Sequence, residues 1–600
     1  MKHALPLALT ASILALGGAA HAFTPAAPVV AAVPEYALDS SLYVPGADLT
    51  EPADFRSGDL LAVDLVDDAS PADIAALGQK YGIAFEDNSP EVTDDGKVEV
   101  VRLSARVLGG QSYSMAQLIE LLSNEKLVEA VEPVTQLNAL FVPNDPKYSE
   151  QWHLKRAGAE KAWEYSCGRG VTVAVIDTGV ACFDKGPFTK GTDLAGTRCV
   201  PGHNFVAKNG DAYDDHGHGT HVAGTIAQTT NNGLGVAGLA YCANLMPVKV
   251  LSKTGSGTNT DVAEGIRWAV DHGAQVINMS LGGPYPSKVI ENAVKHARAK
   301  GVLIVAAAGN SGKSVGYPAA FPTVLAVSAT DKNDNIAWFS SRGPQVGIGA
   351  PGVGVVQQTV CNNGRDKCEV FGVFNGTSMA SPHVAGAAAM LVAQGITDVD
   401  SIKSALQSTA TEKSDKNLFG AGILNADAAT SKVHWSHLLF RAAALLGVLF
   451  GLRAMIGKGK GKFALPKRAL AAALAFGTGL LPLAATLGLA SRSGALRPVV
   501  EAVSRPVFEW PLLLDVGMYK WTLLFTAVPA VALTLLGFGS KQARPVIGGI
   551  AAGTAAFAVQ MALQADASFA LGSFGLRLVM AVTAVVCFFV ARLTLDSKSA

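Results

Sequence analysis

Between Val171 and about Thr430, short β-branched runs alternate with amphipathic stretches of helical spacing, and this narrows the fold more than any other feature. Val171–Ile176, Leu245–Leu251, Val276–Ser280, Val302–Ala307 and Val324–Ser328 read as strands. Asp261–His272 and Val289–Lys300 read as helices. Mostly apolar strands separated by helices imply a sheet covered on both faces. The expectation is an α/β domain with a doubly wound, mostly parallel sheet.

Six hundred residues exceed one core, so further domains are expected. Upstream, Leu60–Val66, Val98–Leu103 and Val128–Pro133 read as strands, with helices over Pro71–Tyr81 and Ser114–Asn124. This order suits a small α+β, ferredoxin-like β-α-β-β-α-β unit ending before the turn Asn144-Asp145-Pro146. The first residues have the pattern of an export signal: Met1-Lys2-His3, an apolar Ala4–Leu16, and the small-x-small site Ala20-His21-Ala22. Residues 1–22 are expected to be removed, the alternative being an uncleaved anchor helix.

The chain carries 48 basic and 48 acidic side chains, and no basic patch with interleaved aromatics, so nucleic acid is not an expected partner. The balance conceals a split. Residues 437–600 hold only five carboxylates, Glu501, Glu509, Asp515, Asp566 and Asp596. Leu438–Ile456, Ala469–Ala490, Trp521–Phe538, Val546–Leu563 and Phe574–Ala591 approach the length that crosses a bilayer, giving an all-α membrane domain over 437–592 with about five spans. Lys458, Lys460, Lys462, Lys467 and Arg468 fill the first loop, Lys541 and Arg544 the third, and Arg592 and Lys598 follow the last helix. Positive loops stay cytoplasmic, which places the preceding α/β domain outside, periplasmic or extracellular. The second loop, 491–520, would also be outside, where Arg492, Arg497 and Arg505 fit less well. Anchoring is the default role for this segment, with the lipid bilayer as partner.

Three motifs carry chemistry. Val175-Ile176-Asp177-Thr178-Gly179 puts a carboxylate at the end of a buried strand. Asp215-His216-Gly217-His218-Gly219-Thr220-His221 is a glycine-rich turn entering a helix, and Asn375-Gly376-Thr377-Ser378-Met379-Ala380-Ser381-Pro382-His383 opens a helix with a serine. A serine hydroxyl needs a base to take its proton, and a buried carboxylate fixes the tautomer of that base. A helix start supplies backbone N–H groups for developing negative charge. His216 reads as a surface turn residue, His221 and His383 as packed structural histidines, and Asp214 with Asp215 as a solvated acidic turn, the alternative being carboxylates that modulate the pKa of His218.

In their residues and in the order Asp, His, Ser, these motifs closely resemble the signatures of subtilisin-like serine proteases over roughly residues 144–430. The resemblance implies a peptidase domain at 141–430 acting on polypeptides, with Asp177, His218 and Ser378 as catalytic residues. It implies that Asn310, in Ala306-Ala307-Ala308-Gly309-Asn310, donates to the oxyanion beside the Ser378 N–H. Substrate would lie along Gly255-Ser256-Gly257 and Ser280-Leu281-Gly282, held through its main chain. Gly316 falls where the family places the floor of the main specificity pocket, implying bulky apolar residues before the scissile bond. Structural Ca²⁺ would be held by Asp145, Asp193 and Asn232, with carbonyls of Thr229, Leu234 and Val236. Residues 23–140 resemble the family's propeptides, folding template and temporary inhibitor, the alternative being a permanent accessory domain.

The chain has seven cysteines, and six lie between residues 160 and 370. In an exported chain these are expected as disulfides. Cys361 and Cys368 bracket a turn-rich stretch, and Cys182 and Cys199 bracket an insertion after the first catalytic strand. Cys167 and Cys242 remain, and they meet if, as the family fold implies, the strands after them are parallel neighbours. Two other functions stay open at this point: a catalytically silent scaffold that binds peptides, and a transporter or signalling bundle carrying a protease as a processing module.

Overall fold

The computed structural model describes residues 60–66, 69–87, 98–102, 115–133, 141–184, 191–360, 371–459, 461–484, 489, 496–510, 527–564 and 572–596. They fall into two units, Met1–Asn138 and Ala139–Ala600. The signal segment, the Cys361–Cys368 pair and residues 521–526 of one expected span lie outside the described residues.

In the N-terminal unit, Leu61, Val63 and Leu65 alternate inward from strand β1 (Leu60–Leu65), the pattern of a half-buried strand. They pack with Leu77 of helix α1 (Pro71–Tyr81) and with Leu118 and Leu122 of α2 (Met115–Leu122). Helix α1 starts where Ser70 and Asp73 exchange side-chain-to-backbone hydrogen bonds, a capping box, with a proline at its first position. With β2 (Phe85–Asp87), β3 (Val98–Arg102) and β4 (Val128–Pro133), the element order is β-α-β-β-α-β. The antiparallel sheet runs β2-β3-β1-β4.

The second unit is built on strand β5 (Thr172–Asp177), every residue of which is buried. Val173 and Val175 enter one core and Ala174 and Ile176 the core on the opposite face, so the strand reads as continuously apolar. Around it lie β6 (His203–Asn204), β7 (Asn244–Lys249), β8 (Val276–Met279), β9 (Leu303–Ala307), β10 (Leu325–Thr330) and β11 (Val346–Pro351). The seven strands are parallel, in the order β11-β10-β9-β8-β5-β7-β6. After β5 the chain builds β6 and β7 on one side, then crosses to β8 on the other. That reversal opens a crevice at the carboxyl ends of the strands, where ligands bind in such sheets. Helices α3 (His218–Ala227), α4 (Asn259–Asp271) and α5 (Lys288–Ala299) cover the sheet. A ribbon of β12 (Val355–Gln358) and β13 (Phe371–Phe374) precedes α6 (Thr377–Ala393), whose many alanines are buried on all sides. Helix α7 (Val399–Ser408) follows.

Helix α8 (Ala426–Lys458) begins inside the core of the α/β domain, with the Ala426 N–H bonded to the Ala157 carbonyl, and runs on through the first expected span. Beyond it come α9 (Lys467–Gly477), α10 (Arg497–Val503), α11 (Val528–Gly537), α12 (Arg544–Gln564) and α13 (Gly572–Leu595). Among the described residues three helices are long and apolar enough to cross a membrane: Ala426–Lys458, Arg544–Leu563 and Arg577–Leu595. The expected second span does not continue as one helix over Ala469–Ala490. It stops at Gly477, and Gly479 adopts a positive φ at a place where a Cβ would lie 2.6 Å from the Ser504 backbone. Helix α12 packs closely on α9 because Gly549 and Gly553 carry no Cβ: one would lie 2.2 Å from the Ala469 carbonyl and 2.5 Å from that of Ala473, respectively.

Two of the three arginines that suited an outside loop poorly, Arg497 and Arg505, have partners on the α/β domain. Arg497 donates to the Trp163 carbonyl at 2.7 Å, to Tyr241 Oη at 2.6 Å and to Glu501 at 2.7 Å. Glu501 also accepts from Arg169 at 2.9 Å. Arg505 donates to the carbonyl of Ala393, at the end of α6. A cation there also complements the negative pole of that helix.

Candidate active site

Asp177 ends β5 and His218 begins α3, so their loops must approach closely. Gly219 permits this, since a Cβ there would lie 2.1 Å from the Gly179 carbonyl oxygen. His218 Nδ1 stands 2.7 Å from Asp177 Oδ1, which also accepts the Thr178 N–H at 2.7 Å. With the proton on Nδ1, Nε2 is the basic nitrogen. Burial lowers the His218 pKa, but the charge and hydrogen bond of Asp177, with a contribution from Asp214, carry it above its ordinary value.

Asp214 is not a solvated turn residue. It is fully buried, and its two oxygens accept from Thr178 Oγ1, from the N–H groups of His216, Gly217 and Thr220, and from Thr220 Oγ1, at 2.7–3.0 Å. These bonds satisfy donors at the start of α3 and tie them to the residue after Asp177. An Asp four residues before a helix that opens His-Gly-Thr is the signal that could have shown this. Asp215 pairs with the buried Lys249 at 2.7 Å, and Lys249 also reaches the Thr178 carbonyl.

Ser378 lies in the first turn of α6, where backbone N–H groups have no intrahelical partner. Its Oγ donates to the Ser280 carbonyl at 3.2 Å. Ser280 Oγ donates to the Ser378 carbonyl at 2.7 Å and accepts from Asn278 Nδ2 at 3.0 Å, while Ser381 Oγ donates to Asn278 Oδ1 at 2.7 Å. This chain of bonds fixes α6 against the end of β8. Asn310 Oδ1 accepts from the N–H and Oγ1 of Thr377, which turns its Nδ2 outward. The place a Cβ of Gly376 would fill is 3.3 Å from Asn310 Nδ2 and 3.6 Å from the Ser378 nitrogen. Glycine there leaves open a point on which both donors converge.

An open cleft of about 680 Å³ runs beside His218. Gly255, Ser256, Gly257, Ser280, Leu281 and Gly282 line it, as does His216, the exposed turn residue. Gly316 sits behind its wall: its N–H bonds to the Ala308 carbonyl at 2.9 Å, and a Cβ would lie 3.0 Å from the Gly283 carbonyl oxygen. His221 and His383 are buried away from the cleft. His221 Nε2 faces the carbonyls of Val355 and Gly372, both at 3.1 Å, and His383 Nε2 lies 2.8 Å from His153 Nδ1.

Cys167 and Cys242 are bridged with Cα atoms 5.2 Å apart, at the edge where β5 and β7 run side by side from Thr172 opposite Asn244. Cys182 and Cys199 are bridged with Cα atoms 6.1 Å apart.

Of the residues expected around a cation, Asp145, Asp193 and Asn232 are joined by hydrogen bonds. Asn232 bridges the two carboxylates, its N–H reaching Asp145 Oδ1 at 3.4 Å and its Nδ2 reaching Asp193 Oδ1 at 2.7 Å. Asp193 Oδ2 accepts the Val236 N–H, and Leu234 N–H reaches Asn232 Oδ1. Thr229 instead uses its hydroxyl, accepting the Gly196 N–H at 3.1 Å. Both carboxylates are buried; burial pushes Asp193 up to about 6, with help from the Asp145 charge, and also raises Asp145. Two buried, mutually repelling carboxylates fit a hard divalent cation. No cluster of three or more His, Cys, Asp or Glu able to hold a metal occurs among the described residues.

Residues 168–422 match the Subtilase family. Subtilisin Savinase of Lederbergia lenta is 43% identical over 285 residues, which are 47% of this chain and 99% of that protein. Subtilisin DY of Bacillus licheniformis is 44% identical over 268 residues, 44% of this chain and 91% of that one. The chain belongs to the subtilase family. Another relative, the thermophilic serine proteinase of Bacillus sp. (strain AK1), is 41% identical over 296 residues, 49% of this chain and 70% of that protein. As a subtilase, the chain is a serine endopeptidase, and its seven-stranded parallel sheet is the subtilisin-like fold.

Proposed function

We propose that this subtilase hydrolyses peptide bonds with Asp177, His218 and Ser378 from a position anchored in a membrane, its peptidase domain outside. The observation that carries the chemistry is the His218–Asp177 contact at 2.7 Å, which leaves Nε2 as the base, on the cleft that the substrate segments line. Ser378 Oγ turns from the Ser280 carbonyl to Nε2, gives up its proton there and attacks the scissile carbonyl carbon. The new oxyanion sits between Asn310 Nδ2 and the Ser378 N–H. His218 passes the proton to the leaving amine, and the C–N bond breaks to leave an acyl-enzyme. Water, deprotonated by His218, then releases the acid and restores Ser378. Substrate main chain lies along Gly255–Gly257 and Ser280–Gly282, with a preference for bulky apolar residues before the cut.

Ca²⁺ would be held by the side chains of Asp145, Asp193 and Asn232 with the carbonyls of Thr229, Leu234 and Val236. It would stabilise the loops and take no part in the reaction. The ferredoxin-like N-terminal unit acts as propeptide and inhibitor of its own peptidase. The basic loops set the orientation, and the Arg497 and Arg505 contacts support placing the second loop on the side of the peptidase domain.

The test is Ser378→Ala in the full chain. It abolishes hydrolysis of peptides with Leu or Phe before the scissile bond, and the chain stays uncut between Leu137 and Asp145. Normal maturation of that variant would assign the cut to another protease; retained hydrolysis would refute the mechanism.

A further inference from the structure

A cavity of about 380 Å³ opens between α7 and α8, immediately before the apolar stretch of α8, with Ile396, Ala405 and Val433 on its apolar side. Ser401, Ser404 and Ser408 line it from α7, and Lys432 and Ser436 from α8. All are hydrogen-bond donors, and Lys432 Nζ already reaches Ser408 Oγ at 3.0 Å. Asp400, the one carboxylate in the lining, is taken up by Arg298, so the cavity favours an anion. His437 also lines it and faces Arg441 Nη2 at 3.4 Å.

The same face of α8 continues downward as an apolar lane. Residues 432, 436, 439, 443, 446 and 450 fall at alternating spacings of four and three, one side of a helix. Along it Leu439, Leu446 and Phe450 are 63%, 68% and 74% exposed. Trp435, partly exposed beside the top of the lane, is the residue type that marks the membrane–water boundary. From Leu439 to Phe450 the helix rises roughly 16 Å, close to one leaflet of hydrocarbon at roughly 15 Å.

We propose that this cavity binds the phosphodiester headgroup of a membrane phospholipid, whose acyl chains lie along Leu439, Leu446 and Phe450. Lys432 and the serine hydroxyls supply the donors that a phosphate's acceptor oxygens require. The proposal rests on the membrane reading above, and the experiment separates the two.

Full-length Ser378→Ala protein is first extracted from membranes with alkaline carbonate. Release into the supernatant would overturn the membrane reading and this site together. Retained protein is purified in detergent and titrated with dioleoylphosphatidylglycerol, glycerophosphoglycerol or inorganic phosphate, and bound mass is read by native mass spectrometry. One diacyl lipid binds preferentially, and Lys432→Glu weakens it by about tenfold or more. Ser404→Leu, which fills the cavity without touching charge, weakens it too and serves if Lys432→Glu fails to fold. Phe450→Ser weakens the diacyl lipid and leaves glycerophosphoglycerol unchanged. Unaltered lipid affinity in folded Lys432→Glu or Ser404→Leu would overturn the site. Inorganic phosphate or glycerophosphoglycerol binding as tightly as the lipid would make it a free-phosphate site and overturn the lipid assignment.

Discussion

Asn310 is held by Thr377 through two hydrogen bonds to one oxygen, from the N–H and from Oγ1, each 2.9 Å long. Its amide therefore points one way before substrate arrives. Asn310→Ala should lower kcat by about 100- to 1,000-fold, the size known for oxyanion donors of this family, with KM nearly unchanged. Thr377→Val should cost less, since it removes only one of the two bonds. Steady-state kinetics on one peptide checks both, and an unchanged kcat in Asn310→Ala removes it from the oxyanion hole.

The acid limb of kcat/KM reports His218 in the free enzyme. Activity needs neutral His218, so it falls as pH drops through a pKa that Asp177 holds above the ordinary 6.5. Replacing Asp177 with Asn removes the charge: the limb moves to lower pH and the rate drops by roughly 10⁴-fold. A limb that stays in place would show that another group controls it.

The candidate catalytic residues were legible because short motifs carried them, whereas the parallel β5–β7 pairing was expected only from the family resemblance, since apolar strands do not name their neighbours. Asp214 was not legible, because its burial depends on loops meeting in space, whereas its sequence neighbours look solvated. Nor were the roles of Arg497 and Glu501. In sequence they are charges in a loop, and only folding brings Trp163, Tyr241 and Arg169 to them. The early end of α9 followed from Gly477, Gly479 and Pro482, which a hydropathy reading passes over.

Buried histidines make the domain sensitive to acid. His383 Nδ1 donates to the Met379 carbonyl, so its Nε2 accepts from His153 Nδ1. Burial lowers His383 to about 4 and His221 to about 3. Unfolded histidines bind protons below about 6.5, the folded ones only near these lower values, so stability falls as pH drops from 6.5 toward 4. His383 alone accounts for about 3 kcal/mol when this loss is complete. Chemical denaturation at pH 7 and pH 4.5 measures it, and a flatter dependence is expected in a folded His383→Gln variant.

Removal of Ca²⁺ by a chelator should lower Tm and speed autolysis, because an ion bound only by the folded state stabilises it. Asp193→Asn should lower Tm and abolish the response to chelator. No change in the wild-type protein would withdraw Asp145, Asp193 and Asn232 as ligands.

The mechanism turns on Ser378 as a nucleophile activated by His218. A fluorophosphonate probe reacts with such a serine, and peptide mapping of the labelled full chain locates it. A single labelled site is expected at Ser378, lost in Ser378→Ala and nearly lost in His218→Ala, while Asn310→Ala still labels. Label on another residue, or undiminished label in Ser378→Ala, would contradict this mechanism.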